Sequence, residues 1–254
     1  MKRSKLLRGI GVAAFWLLVW QGLSMAVDQA LLLPGPWPVL RRLLELARTG
    51  RFWLISCTSL LRILAGIALA VLLGVLLAAL CCRWPALNAL CAPLLTMIKS
   101  TPVASFILLL ILWVGRDVLP AVVVILMALP VIWGNVSAGI RNVDPMLLRT
   151  ARVFCFSPLR TLRRVWIPAV APYFLSACRT AMGLAWKAGV AAEVLTVPAV
   201  SIGRQLSESK QYMETCDLFA WTVVVVLCSL LIERVLMTAM GRLGRAFHRE
   251  GGGL

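Results

Sequence analysis

Three charged residues, Arg179, Lys187 and Glu193, interrupt one long apolar stretch of the chain. On insertion scales a charge near the bilayer centre costs about 2.5–3.5 kcal/mol, so these side chains are not expected to face lipid. Arg179, Gly183 and Lys187 follow each other at steps of four and therefore share one helix face. With Trp186 beside it, Lys187 could attract an anionic or polar solute into a water-filled cavity.

A structural interpretation of the same residues competes with this one. In it, Arg179 lies near the inner end of its helix and bonds to backbone carbonyls or lipid headgroups. Lys187 then pairs with Glu193 of a neighbouring turn or of a second subunit. Glu193 is expected to be the sole acid deep in a membrane-spanning segment. Both interpretations keep the charges away from lipid, so the sequence leaves the choice open.

Patterns for catalysis and for metal binding are absent from the sequence. No GxxxxGK[ST] phosphate-binding loop occurs, and the one histidine, His248, lies in a basic tail. Most of the eight cysteines lie inside apolar runs and none forms a CxxC pair, so we expect them to act as small hydrophobic residues. We therefore expect no metal, no cofactor and no catalytic site, and the chain has no visible means of driving transport alone.

The composition points to a membrane protein. Hydrophobic residues make up 61% of the 254 residues and charged residues 14%, with a mean hydropathy of +0.92. A soluble domain has about 25% charged residues, so a soluble globular enzyme is excluded as the default, and disorder needs the opposite bias. In a soluble protein the net charge of +16 would suggest nucleic acid. Here the basic residues lie between apolar runs, so we expect a membrane and no nucleic acid.

Six apolar segments are candidates to cross the membrane, where a helix needs about 20 residues. We expect an all-α, polytopic helix bundle that forms one domain over residues 1–254. The third segment is short, and residues 87–97 are expected to supply part of it as a tilted or re-entrant piece. The six candidates are Ile10–Val27, Leu60–Leu80, Val103–Gly115, Val118–Ile140, Ala169–Val197 and Leu218–Met240.

Small residues recur every fourth position in two of these segments, which favours close helix packing in lipid. The second segment has Gly66, Ala70, Gly74 and Ala78, and the fifth has Ala177, Ala181, Ala185 and Gly189. Glu193 is the next step along the fifth segment's stripe. These stripes predict a tight bundle rather than loosely associated anchors.

The distribution of Lys and Arg predicts that both termini are cytoplasmic. In that orientation fifteen basic residues lie inside and seven outside. The first segment follows a basic start and precedes Ser24-Met25-Ala26, so a cleaved signal peptide is the alternative to the uncleaved helix that we expect. The next loop, from about Pro38 to Arg48, is expected to be an amphipathic helix lying on the bilayer with its arginines reaching the interface.

Residues 141–168 do not belong to the bilayer. Asp144-Pro145 and Ser157-Pro158 each combine an N-cap with proline at the first helical position, which predicts two short helices. Apolar residues line one face and arginines the other. Such a pair can rest on anionic lipid, or it can dock helix-in-groove on a soluble partner.

This segment resembles the EAA loop of permeases of ATP-binding cassette (ABC) importers. The matching residues are Thr150-Ala151-Arg152-Val153-Phe154-Cys155 and, further on, Val165-Trp166-Ile167-Pro168. The spacing agrees, but Arg149 stands where the loop has Glu, Thr150 where it has the first Ala, and Cys155 where it has Gly.

Further segments are similar to the nitrate/sulfonate/taurine branch of that family, in the right order over about residues 10–240. They are Leu60-Leu61-Arg62-Ile63-Leu64, Thr101-Pro102-Val103-Ala104 with Leu110–Gly115, Gly183-Leu184-Ala185-Trp186-Lys187-Ala188 with Ala192-Glu193, and Gly203-Arg204.

The resemblance implies a type I ABC-importer permease in the plasma (inner) membrane that is not itself an enzyme. It implies a permease homodimer, a cytoplasmic ATPase, an extracytoplasmic substrate-binding protein and contact with membrane lipid. The branch transports oxyanions, sulfonates, and thiamine-pathway or pyrimidine compounds. The implied ATPase contacts are Leu147, Leu148, Thr150, Ala151, Phe154, Cys155 and Phe156, and the candidate pathway residues are Arg179, Trp186, Lys187 and Glu193.

Two other classes remain as alternatives to the importer subunit. A stand-alone secondary transporter or channel would place acids or other polar residues at mid-membrane for ion coupling. A membrane-embedded enzyme would need a catalytic set, which the sequence lacks.

Overall fold

The computed structural model describes residues 2–29 and 31–251, and the side chains of residues 11–29, 31–238 and 241. Eleven α-helices and one π-helical turn make up the regular structure of this part of the chain, without β-strands. The helices are α1 (Lys2–Val27), α2 (Pro36–Ala47), α3 (Gly50–Arg83), α4 (Pro85–Ser100), α5 (Val103–Leu110), α6 (Leu119–Arg141), α7 (Pro145–Val153), α8 (Pro158–Thr161), α9 (Ile167–Thr196), α10 (Ile202–Gln211) and α11 (Thr215–Gly251), with the π turn at Leu162–Trp166.

Helices α3, α6 and α9 form the centre of the bundle and meet through small residues. A Cβ atom added to Gly66 or to Gly74 of α3 would approach α6 side chains to 2.9 Å. A Cβ atom on Gly189 of α9 would approach Ile63 to 2.8 Å. Ala177, Ala181 and Ala185 of α9 are completely buried. The small-residue stripes therefore are the packing surfaces that the sequence predicted.

Helices α3, α6 and the part of α11 from Thr215 to Thr238 are long and apolar enough to cross a membrane, among the residues described. Helices α4 and α5 pass the same test as a pair, but they meet at a 104° bend. The expected third span is thus a broken helix, because Pro102 interrupts the backbone hydrogen bonding between the two. The apolar part of α1, Gly11–Val27, is shorter. Helix α9 has 30 residues, about 45 Å, and its charged residues lower its hydropathy.

One end of the bundle carries α2 and α10, and we call it the α10 end. Here Phe52 and Ile55 of α3 pack with Ile202 of α10 and Trp221 of α11, and Leu43 and Leu46 of α2 cover them. Helix α2 is amphipathic, as predicted, but much of its apolar face covers protein rather than lipid.

An ion pair fixes α2 on α11. Arg42 donates hydrogen bonds of 2.5 Å and 2.8 Å to the carboxylate of Asp217. These bonds raise the pKa of the Arg42 guanidinium above its ordinary value, so the side chain stays cationic. Arg42 was expected to reach toward the membrane interface, and it instead bonds within the chain because an acid of α11 lies opposite.

The opposite end, which we call the α7 end, carries α7, α8 and the π turn. The carboxylate of Asp144 accepts a hydrogen bond of 2.7 Å from the backbone of Met146, and Pro145 is the first helical residue. Ser157 caps α8 in the same way through the backbone N–H of Arg160. Both predicted helix starts are confirmed. Leu162–Trp166 then continues as a π turn directly into α9, so the second short helix and the fifth span are joined.

Candidate functional site

Glu193 lies at the α10 end, completely buried in the last turn of α9. Arg62 of α3 donates a 2.6 Å hydrogen bond to one carboxylate oxygen, and Ser59 donates a 2.7 Å bond to the other. The backbone N–H of Gly203 lies 3.3 Å from the second oxygen. Glu193 therefore pairs with Arg62 and not with Lys187, since α3 places Arg62 against the same turn of the helix.

The cluster around Glu193 connects four parts of the chain. Ser59 accepts a hydrogen bond from the backbone of Ile202 at the start of α10, at 2.8 Å. Arg62 also donates to the carbonyl of Val200 and lies 4.0 Å from Asp117, which precedes α6. The pairing of buried charges with several hydrogen bonds offsets their desolvation, which is what makes a buried carboxylate tolerable.

Glycine at position 203 is needed for this contact. A Cβ atom there would lie 2.3 Å from the backbone carbon of Glu193 and 2.4 Å from the nitrogen of Val194. Helix α10 can press against α9 only because Gly203 has no side chain. Between the two helices the chain turns through Val197, which has a left-handed φ of 50° that is costly for a β-branched residue.

A different face of α9 carries Arg179 and Lys187, and both side chains are exposed. Lys187 has no hydrogen bond or ion pair with any described residue of the chain. Gly183 between them has no atom within 4 Å of an added Cβ atom. The neighbouring Trp186 is 2% exposed, and its indole N–H finds no partner among the described groups. The structure thus brings Arg179, Gly183 and Lys187 together on one open face, as predicted.

Arg179 lies beside an acid that the sequence analysis missed. Its guanidinium is 4.0 Å from the carboxylate of Glu233 on α11. The two side chains line a cavity of about 220 Å³ together with Met182, Gly183 and Trp186. Glu193 is therefore not the only acid within a spanning helix. The signal was available, because Glu233 lies inside the apolar segment predicted for the sixth span.

The predicted ATPase contacts divide into two groups on α7 and the turn that follows it. Ala151 is 3% exposed and packs with Val143 and Val165, while Leu148 and Phe156 are half-buried in the same cluster. The outward group is Leu147, Thr150, Phe154 and Cys155, accompanied by Met146 and Val153. Met146, Val153 and Phe154 are 72%, 79% and 68% exposed. An apolar surface therefore projects from the α7 end.

The turn after α7 explains the glycine expected at position 155. Cys155 has φ of 51°, the left-handed conformation that glycine adopts without cost. Its N–H bonds to the carbonyl of Arg152, and the N–H of Phe156 bonds to the carbonyl of Ala151. This pair of bonds is a Schellman motif, which closes the helix and turns Phe156 back onto Ala151. Cysteine holds the same geometry at a conformational cost.

Together these features define a membrane helix bundle with an exposed apolar helix, α7, at one end and a charged face along α9. Within the described residues, no group of three or more His, Cys, Asp or Glu side chains could hold a metal ion. Residues 58–249 match the family described as the binding-protein-dependent transport system inner membrane component. The chain belongs to this family, and its function is that of a permease subunit of an ABC importer.

Relatives of similar length support this membership. A probable ABC transporter permease of Brucella melitensis is 29% identical and aligns over 92% of each chain. The taurine transport system permease of Escherichia coli is 26% identical over 92% of this chain and 87% of its own. The bicarbonate transport system permease of Synechococcus elongatus is 28% identical over 88% and 84%.

Two solved structures share the fold. An amino acid ABC transporter solved with histidines aligns with a TM-score of 0.57 at 17% identity, over 76% of this chain and 94% of that one. The methionine ABC transporter in an inward-facing conformation aligns with a TM-score of 0.53 at 17% identity, over 83% and 96%. The all-helical membrane fold expected from the sequence is confirmed.

Proposed function

We propose that the chain is one permease domain that pairs with a second copy, and that the exposed face of α9 lines the solute pathway between them. The observation that carries this proposal is the unpartnered Lys187 on a 30-residue helix at the centre of the bundle. A lysine facing hydrocarbon is unfavourable, so this face borders water or a second protein surface. A pathway between two copies provides both.

The transported solute is a small anion or a small polar compound. Arg179 and Lys187 give the exposed face two cations, and Glu233 beside Arg179 adds one acid. Fixed cations in a site of low dielectric constant attract an anion more strongly than they would in water. Two of the relatives are permeases of taurine and of bicarbonate transport systems, which agrees with this class of solute.

An ATPase subunit docks on the α7 end, and a substrate-binding protein docks on the α10 end. The outward group on α7 is an apolar helix face, which fits a groove of a soluble partner. Ala151, Leu148 and Phe156 attach that helix to the bundle, so closure of the ATPase pair would move α9 through the π turn. In this arrangement the α7 end and both termini are cytoplasmic.

The experiment that tests the docking is co-purification of the permease with its ATPase. Replacing Phe154 with Asp places a charge on the outward face and should abolish recovery of the ATPase while the permease still inserts. The matched control, Phe154→Leu, keeps an apolar side chain and should retain the ATPase. Recovery of the ATPase at full stoichiometry with Phe154→Asp would show that α7 is not the docking helix.

A further inference from the structure

The cavity of about 220 Å³ between α9 and α11 is lined by two opposite charges that do not bond to each other. The guanidinium of Arg179 and the carboxylate of Glu233 are 4.0 Å apart. A hydrogen bond between two such charged groups has a donor–acceptor distance of about 2.7–2.9 Å. Arg62 and Glu193, by contrast, approach to 2.6 Å. Arg179 and Glu233 therefore keep hydrogen-bonding capacity that a third group can use.

Both charged residues lie far from the ends of the bundle. Arg179 follows the first residue of α9 by 12 positions and precedes the last by 17, or about 18 Å and 26 Å along the helix axis. Glu233 lies inside Thr215–Thr238, the part of α11 that is long and apolar enough to cross a membrane. Charged side chains at such a depth almost always face a water-filled cavity or other protein rather than lipid. Their position therefore favours a site for a polar molecule.

The rest of the lining combines apolar side chains with one hydroxyl group. Ser229 lines the cavity, and its hydroxyl has no hydrogen-bond partner among the described residues. The volume is that of about seven water molecules, at about 30 Å³ each. The cavity thus suits a small solute with several polar atoms. Its apolar lining residues are Met182, Trp186, Ile232 and Leu236.

The two charges select for a solute that carries both signs. A simple anion at Arg179 would be repelled by Glu233, and a simple cation at Glu233 would be repelled by Arg179. A zwitterion with a short spacer can place its anionic group at Arg179 and its ammonium group at Glu233. It would replace one long contact by two charge-assisted hydrogen bonds, which a neutral polar solute cannot do.

We propose that this cavity is a subsite for a zwitterionic solute, whose carboxylate or sulfonate binds Arg179 and whose ammonium group binds Glu233. The hydroxyl of Ser229 adds a hydrogen bond to either end of the solute. Gly183 leaves the α9 wall open, since an added Cβ atom there would meet nothing within 4 Å. The inference rests on the proposed solute pathway along α9, and it narrows the solute to a compound with both charges.

Saturation-transfer difference NMR on the full-length permease in lipid nanodiscs tests the subsite. Two matched pairs of probes are titrated, β-alanine against 3-hydroxypropionate and taurine against 2-hydroxyethanesulfonate. Within each pair a hydroxyl group replaces the ammonium group at almost equal size. At least one zwitterion should bind about tenfold more tightly than its hydroxyl analogue, because a hydrogen bond between charged groups contributes at least that factor.

Two variants assign the preference to this cavity. Glu233→Gln keeps the shape and removes the acid, so the zwitterion should bind no more tightly than its analogue. Glu214→Gln, at an exposed acid just before α11, should keep the preference. Gly183→Leu has room to fold and projects into the cavity, so it should weaken both members of a pair. Gly22→Leu on α1, where an added Cβ atom also meets nothing within 4 Å, should weaken neither.

Three results would overturn the proposal. They are equal affinities within both pairs for the wild type, a preference that survives Glu233→Gln, and full binding by Gly183→Leu. The pathway itself is tested separately, by uptake with Lys187→Met. Lower uptake by that variant together with equal affinities within each pair would reject the zwitterion subsite alone. A preference that depends on Glu233, together with unchanged uptake by Lys187→Met, would support the subsite and contradict the pathway.

Discussion

Glu193 and Lys187 lie six residues apart on α9, and their side chains lie in opposite environments. Glu193 is completely buried, with Arg62, Ser59 and Gly203 bonded to its carboxylate. Lys187 is exposed and bonds to nothing in the described part of the chain. The same helix thus carries one charge that is buried and paired, Glu193, and one that is exposed and unpaired within the described residues, Lys187.

This difference predicts opposite outcomes for removing the two charges. Removing a partner of Glu193 leaves a buried charge uncompensated and should damage the fold. Removing the charge of Lys187 breaks no contact within the chain, so its effect should appear only when a solute or a second subunit is present. Substitutions at and around these two charges can therefore distinguish a structural role from a role in transport.

The largest effect is expected for Glu193→Gln. Arg62 would remain mostly buried with only the exposed Asp117, 4.0 Å away, as an acidic partner, so stability should fall by about 3–5 kcal/mol, as for broken buried pairs. The measurement is the thermal midpoint of the detergent-solubilised permease by size-exclusion chromatography after heating. The double variant Arg62→Met with Glu193→Met removes both charges and should recover most of the loss. A wild-type midpoint for Glu193→Gln would contradict the structural role.

Gly203→Ala should be the next largest effect. The added Cβ would overlap the backbone at Glu193, so α10 must move away from α9, at about 1–3 kcal/mol for overpacking. The matched control is Gly183→Ala on α9, where an added Cβ meets nothing within 4 Å. The same heating assay should show a lower midpoint for the first variant and an unchanged or higher one for the second. Equal midpoints would contradict the close contact of α10 with α9 at Gly203.

Lys187→Met should leave the thermal midpoint unchanged and lower transport. Losing one charge-assisted interaction with an anionic solute corresponds to about a tenfold loss of uptake. Uptake into proteoliposomes driven by ATP gives the measurement, with assembly and basal ATPase activity as internal controls. Unchanged uptake, or loss of the assembled complex, would contradict a role of Lys187 in the solute pathway.

The smallest effect is a gain of stability from Cys155→Gly. Relief of the left-handed backbone at this residue should raise stability by about 1 kcal/mol. The heating assay measures it, and Cys155→Ala, which keeps a Cβ atom, should show no comparable gain. A lower midpoint for Cys155→Gly would mean that the thiol contributes more than its backbone conformation costs.

The α7 segment shows which structural features can be predicted from the sequence alone and which cannot. Asp144-Pro145 and Ser157-Pro158 specify their helix starts because capping depends on residues two or three positions apart. The apolar stripe of α7 also follows from spacing. Spacing did not reveal that Ala151 faces the bundle and Phe154 faces away, because that division depends on where Val143 and Val165 come to lie.

The sequence by itself determined the apolar segments, the helix caps and the small-residue stripes, because each of these depends on neighbours within one or two helical turns. Only the tertiary structure decided the partner of Glu193, since Arg62 is 131 positions away along the chain. It likewise decided that Glu233 joins Arg179, that the third span breaks at Pro102, and that a cavity lies between α9 and α11. Contacts between distant segments depend on how whole helices pack together, and local sequence spacing does not predict that packing.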